Sequence, residues 1–278
     1  MLISRIKESN LFFFLMRWKV FFAPTLRLLG SFLKFFPRDL VHFRQNIINQ
    51  NLHSIGTRGK LSLWASEMSV FSQNGEDGIL FEIFQRLQID VGNFIEIGCS
   101  YHESNCIFLA EMLGWNGTFI DGSKYQSEKL KNRFKFNESV TVLKEFVTPE
   151  NINIVTCNSD AKNLDLLSLD VDGNEYYLFE KLDVKPKCIV IEYNSSHKID
   201  PEFIQKSDVK KWDGTAKFGV GHKALEKLAK SKGYEVVYYD YTGVNAFLIR
   251  EDLLDLFPER KNLVRRTTNI FARNFTHR

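Results

Sequence analysis

The chain has 278 residues, of which 44% are hydrophobic and 26% charged, a composition that excludes wholesale disorder and suits one large domain with an appendage. Its net charge of +3 conceals an asymmetry: residues 1–44 hold eight Lys/Arg against Glu8 and Asp39, net +6, which leaves the rest of the chain at −3. A basic arm on a mildly acidic body argues against nucleic acid as a partner, because a nucleic-acid-binding body normally carries a basic face. The four cysteines, Cys99, Cys106, Cys157 and Cys188, form no C-x-x-C pair, so neither a zinc ribbon nor a disulfide scaffold is indicated and a reducing cytoplasm is expected.

The arm, residues 1–44, carries the aromatic run from Leu11 to Phe36, broken by Arg17, Lys19, Arg27 and Lys34 and by Pro24 and Gly30. A membrane-crossing helix wants about 20 apolar residues with few charges. Two readings stay open: a segment lying at the inner face of a membrane with its basic residues reaching anionic lipid, or a helical extension whose Phe side chains pack on the body. No small-residue cleavage site follows the apolar run, which argues against a signal peptide. Residues 45–70 read as a linker, 71–252 as the main domain and 253–278 as a tail.

Within the domain, strand-like and helix-like segments alternate. Asn74-Gly75-Glu76-Asp77 opens a helix with Asn74 and Asp77 as a capping pair. There follow strand 94–97, helix 104–113, strand 117–121, helix 124–136, strand 140–144, a short helix with Thr148 as N-cap and Pro149 at its first position, strand 164–169, helix 174–182, strand 187–193 and helix 221–232 ending at Gly233. The runs 234–240 and 244–250 are separated only by Tyr241-Thr242-Gly243 and predict an antiparallel hairpin. The sum is a doubly wound, Rossmann-like, seven-stranded and mostly parallel α/β sheet.

Four of the strand-like runs end on a carboxylate: Glu96, Asp121, Asp170 with Asp172, and Glu192. In an open α/β sheet the carboxyl ends of parallel strands share the ligand crevice. Acid gathered there suits a cationic or hydroxyl-rich ligand better than a polyphosphate. The first strand-to-helix turn, Glu96-Ile97-Gly98-Cys99-Ser100-Tyr101, has Ser100 and Glu103 where a dinucleotide fingerprint needs glycines, which disfavours nicotinamide and flavin cofactors. The amino terminus of the next helix stays available for a carboxylate. Asp121, 25 residues after Glu96, has the spacing of an acid that accepts ribose hydroxyls. S-adenosylmethionine satisfies both constraints. Its amino-acid end would use Glu96, Gly98 and Ser100, its ribose Asp121 and Gly122, and its adenine the loop Glu145-Phe146-Val147. Asp121-Gly122-Ser123 could equally cap the following helix.

Ser72-Gln73-Asn74-Gly75-Glu76-Asp77, Phe94-Ile95-Glu96-Ile97-Gly98, Ser168-Leu169-Asp170-Val171-Asp172-Gly173-Asn174-Glu175 and Ile191-Glu192-Tyr193-Asn194 together resemble the FkbM-like branch of the class I S-adenosylmethionine-dependent methyltransferases. The resemblance covers about residues 70–250. It implies a seven-stranded Rossmann-like sheet and methyl transfer, commonly to a hydroxyl of a sugar or secondary metabolite. The first loop departs from the family pattern in lacking G-x-G.

For a hydroxyl acceptor the site must align the nucleophile and help remove its proton. Asp170 and Asp172, held together at a strand end, would raise one pKa and create a base. Alternatively Asp170, Glu192 and Asn194 would hold Mg²⁺ that lowers the hydroxyl pKa. Asn174 reads better as a helix cap. His222 is a second candidate base, though a plain helix-start contact is the commoner role. Loop 194–217, with Trp212, has the length of a lid over a small-molecule or glycan acceptor. The rivals are a non-catalytic binding module on the same sheet and a nicotinamide-dependent oxidoreductase.

Overall fold

The computed structural model describes residues 62–157, 163–197, 200–206 and 218–265. The basic arm, most of the linker, Trp212 with most of its loop, and the end of the tail lie outside them. Among the described residues no helix is long and apolar enough to cross a membrane.

Seven strands form one sheet: β1 Asn93–Ile97, β2 Asn116–Asp121, β3 Val140–Lys144, β4 Leu166–Leu169, β5 Cys188–Glu192, β6 Tyr234–Tyr239 and β7 Asn245–Arg250. Their order is β3-β2-β1-β4-β5-β7-β6. β1 to β5 pair in parallel, while β7 runs antiparallel to both β5 and β6. The expected doubly wound, mostly parallel sheet with a terminal antiparallel hairpin is therefore the observed one. The order reverses between β1 and β4, and that switch point opens a crevice at the carboxyl ends of the strands.

Alternation along each strand sends side chains to two apolar layers. Phe94, Phe119, Leu166, Val190 and Phe247 face one, with α2 (Glu76–Arg86), α3 (Ile107–Met112) and α4 (Lys124–Phe134). Ile95, Ile120, Leu167, Ile189 and Leu248 face the other, with α5 (Ile152–Cys157), α6 (Glu175–Lys181) and α7 (His222–Ser231). A first short helix, α1 (Leu63–Ser66), packs on α2.

Several boundaries differ from the sequence reading for local reasons. Helix α2 has Gly75, at φ +99°, as its N-cap with no side-chain cap, so Asn74 and Asp77 are not a capping pair. Asp77 instead accepts the backbone N–H groups of Val70, Phe71 and Ser72 at 2.7, 2.7 and 2.9 Å and ties the entering chain to the helix. The helix after Thr148-Pro149 begins only at Ile152, because Asn151 accepts the Thr148 N–H at 2.7 Å and closes a turn first. Helix α3 begins at Ile107 rather than 104, since residues 104–106 turn toward Glu96.

Candidate functional site

Strand register places the acids. Ile97 pairs with Ile120 and Leu169, and Leu169 with Ile191. One residue further on, Asp121, Gly98, Asp170 and Glu192 form a row across β2, β1, β4 and β5. Glu192 pairs in turn with Asn245, the first residue of β7. Glu96 pairs with Phe119 and Ser168, two residues deeper on the same face.

That depth gives Glu96 a different occupation from the one its strand-end position suggested. Its carboxylate accepts Ser104 Oγ at 2.6 Å, Asn105 N–H at 3.0 Å and Cys106 N–H at 2.9 Å. The acid anchors the start of α3, and the amide groups expected to remain available for a ligand carboxylate are consumed by it. Burial pushes its pKa up to about 7, against the lowering effect of those bonds. Glu96 still contributes to the cavity wall.

The turn after β1 is closed tightly. Gly98 has φ +79°, and a Cβ there would lie 1.6 Å from the Asp170 carbonyl oxygen, so only glycine fits between the ends of β1 and β4. Cys99 N–H donates to Asp121 Oδ2 at 3.2 Å and Ser123 N–H to Oδ1 at 2.7 Å, which fixes the half-buried acid at the rim. Burial raises its pKa. Ser123 also caps α4 by accepting the Gln126 N–H, so a helix cap in this segment coexists with an Asp121 that lines the cavity. Ser100 accepts the His102 N–H at 3.2 Å. Gly122, where a Cβ would approach Phe146 Cδ2 to 2.9 Å, lets the exposed Phe146 ring lie over the β2 turn between Glu145 and Val147.

On the other side, the loop after β4 folds on Glu175. Its carboxylate accepts Val171 N–H at 2.7 Å and Gly173 N–H at 3.0 Å. The residue had no role in the sequence reading, although its position three past Asp172 in a strand-to-helix turn is that of a helix-start acid. Asn174 occupies the N-cap position of α6 but makes no side-chain capping bond, contrary to its expected role. Asp172 sits at φ +60°, a conformation that non-glycine residues rarely hold. Burial first, then the charges of Glu175, Asp172 and Glu96, push the Asp170 pKa up to about 8.

These groups line one cavity of about 630 Å³. It brings together Glu96, Gly98, Ser100, Asp121, Gly122, Glu145, Phe146, Val147, Asp170 and Asp172. Glu76 and Glu103 complete seven carboxylates in its wall, and none of the described lining residues is Lys, Arg or His. Glu192 and Asn194 do not line it. Asn194 Oδ1 accepts the Ser196 N–H and hydroxyl at 2.9 and 2.5 Å, while its Nδ2 donates to the Phe218 carbonyl. Among the described residues, Asp170, Glu175 and Glu192 form a group of three carboxylates with oxygens within 4.8 Å of one another, and Asn194 is not part of it. His222 opens α7 outside the cavity wall, near Glu226 and Arg265, and burial lowers its pKa.

No family model matches the chain, and no curated protein sequence matches it. Solved structures with similarity to it include the fibrillarin pre-rRNA processing protein of Methanococcus jannaschii, at 12% identity and TM-score 0.40 over 58% of this chain and 67% of that one. Others are the N-terminal domain of EvdMO1 with SAH bound (10%, TM-score 0.43, 60% and 77%) and the methyltransferase domain of bacterial CtHen1 (14%, 0.40, 62% and 96%). Likenesses of this size leave cofactor and substrate to be read from the chain's own residues.

Proposed function

We propose that the chain is an S-adenosylmethionine-dependent methyltransferase acting on a hydroxyl of a sugar, glycan or small metabolite. The observation that carries this reading is the cavity wall of seven carboxylates, without a cation among the described lining residues, at the switch point of the sheet. A unit positive charge about 5 Å from one ionised carboxylate gains roughly 3 kcal/mol at an effective dielectric near 20, and a pyrophosphate loses a similar amount per charge. The helix amino terminus that offsets such repulsion in a dinucleotide site is worth about 2 kcal/mol at most, and here its amides serve Glu96. The same wall disfavours the nicotinamide-dependent alternative.

The residues fit the methyl donor. Gly98 and Ser100 would meet its amino-acid end, Asp121 its ribose hydroxyls, and Glu145 to Val147 its adenine. Bound there, the donor supplies an electrophilic methyl group on a sulfonium. Asp170, beside Asp172, would take the acceptor's hydroxyl proton, and a neighbouring cation lowers its raised pKa toward the ionised form that a base needs. Alternatively Asp170, Glu175 and Glu192, an all-oxygen donor set, would hold Mg²⁺ that lowers the hydroxyl pKa, with Asp170 alone of the three reaching the cavity wall. His222 has no part in this scheme.

The arm, residues 1–44, remains a peripheral membrane contact in this reading, at the inner face of a membrane in a cytoplasmic protein. Co-sedimentation with anionic vesicles that is lost on deletion of the arm supports it, and unchanged sedimentation removes it. A screen of sugars and small alcohols with the methyl-labelled donor tests the activity. Label should appear in a hydroxylated acceptor, and no transfer to any acceptor by donor-saturated protein counts against catalysis.

A further inference from the structure

Because β7 runs antiparallel to its neighbours, it starts where the parallel strands end. Asn245 is thereby brought beside Glu192 in the register, at the end of the row that runs through Asp170 to Asp121. It lines the cavity and is only 2% exposed. Its side-chain Nδ2 donates to Glu76 Oε1 at 2.8 Å, and its backbone N–H separately donates to Asp240 Oδ2 at 2.6 Å. With Nδ2 committed, the side-chain carbonyl oxygen Oδ1 is fixed, buried and without a hydrogen-bond partner. Asn174, in the loop after β4, repeats the pattern. It lines the same cavity, makes no capping bond, and its Oδ1 is likewise buried and unpartnered.

Buried acceptors left without donors are costly, and native structures rarely keep them without a reason. Asn245 stands on β7 and Asn174 follows Asp170 in the loop after β4, while Asp121, assigned to the methyl donor, ends β2 beyond β1 in the strand order. Resting on that assignment, we propose that Asn245 and Asn174 form the acceptor subsite, and that it takes a polyhydroxylated molecule bearing no negative charge, an amino sugar better than a neutral one. The two orphaned oxygens accept O–H or N–H groups of the acceptor. Glu76 and Asp172 in the same wall attract an ammonium group and repel a carboxylate. Neither asparagine is a base; they orient the acceptor so that one hydroxyl faces Asp170.

Saturation-transfer NMR on protein loaded with S-adenosylhomocysteine would compare D-glucosamine, D-glucose and D-glucuronate. Glucosamine and glucose should bind, with glucuronate at least tenfold weaker. Asn174→Ala and Asn245→Ala should each weaken glucosamine at least tenfold while S-adenosylhomocysteine affinity stays within twofold. Asn174→Ala removes no capping bond, so it decides the matter if Asn245→Ala fails to fold. Equal binding of glucuronate, binding of none of the three, or unchanged glucosamine binding in folded Asn174→Ala overturns the subsite. Failure of S-adenosylhomocysteine to bind the unmodified protein instead sinks the methyl-transfer reading beneath it.

Discussion

Replacing Asp170 with Asn removes the proposed base while keeping the side chain's size and its place in the row between Gly98 and Glu192. Its pKa of about 8 in the ligand-free site means that roughly one molecule in ten is ionised at pH 7. The rate at low donor and acceptor concentration should therefore rise about tenfold per pH unit below 7 and level off above pH 9. Because the base acts in its ionised form, the sign is fixed: the rate climbs with pH and never falls through this group. Loss of a positioned base typically costs 10²- to 10⁴-fold. Asp170→Asn should fall in that range with a flattened pH profile. It should also fold at least as well as the parent protein, since it relieves the repulsion with Glu175, Asp172 and Glu96. The assay is initial rate with labelled donor from pH 6 to 9, alongside thermal unfolding. A folded variant within threefold of the parent rate, or a parent profile flat across that range, would refute the assignment.

Three further outcomes follow from the geometry. Gly98→Ala should destabilise the protein by about 3 kcal/mol or more, because its Cβ would collide with the Asp170 carbonyl at a positive φ; an unchanged melting temperature would contradict this. Asp121→Ala should weaken S-adenosylhomocysteine roughly ten- to 150-fold, the worth of a charged hydrogen bond to ribose, and calorimetry showing less than a threefold change would reject the ribose role. Asp77, Glu96 and Asp240 have pKa values raised by burial to about 6, 7 and 7, so the folded state binds more protons than the unfolded chain between about pH 4 and those values. Stability should consequently decline as pH rises from 5 to 8, by about 3 kcal/mol for Glu96 alone, and Glu96→Gln should flatten the slope; a melting temperature that rises over this interval would show the acids to be ionised throughout.

The sheet was legible because each strand carries its own local signature, apolar and bounded by a turn, and because Tyr241-Thr242-Gly243 is too short for anything but a hairpin. The gathering of Gly98, Asp121 and Asp170 was legible for the same reason, since parallel strands bring their ends together whatever their order. Register was not. Nothing in Phe94-Ile95-Glu96 distinguishes an acid at the rim from one two residues deeper, and only pairing with Ser168 and the turned-back residues 104–106 give Glu96 its anchoring role. Asn245 was missed because its importance depends on β7 entering the sheet beside β5, a long-range pairing with no local trace. Glu175 was visible as a helix-start acid, yet its hold on the Val171 and Gly173 amides depends on a loop conformation that requires Asp172 at positive φ. The capping roles expected of Asn74, Asp77 and Asn174 failed on tertiary partners: the Asn74 N–H donates to Glu76, the Asp77 N–H donates to the Ser72 hydroxyl while its carboxylate takes the amides of residues 70–72, and the turn before Asn174 closes on Glu175.

The central claim is that the carboxylate-walled crevice binds the methyl donor. Isothermal titration of the protein with S-adenosylhomocysteine and, separately, with NAD tests it most directly. Saturable one-to-one binding of S-adenosylhomocysteine, weakened by Asp121→Ala and tighter than NAD by at least tenfold, is the predicted result. No heat of binding to well-folded protein would support the non-catalytic module instead, and tighter binding of NAD would contradict the electrostatic reading of the site.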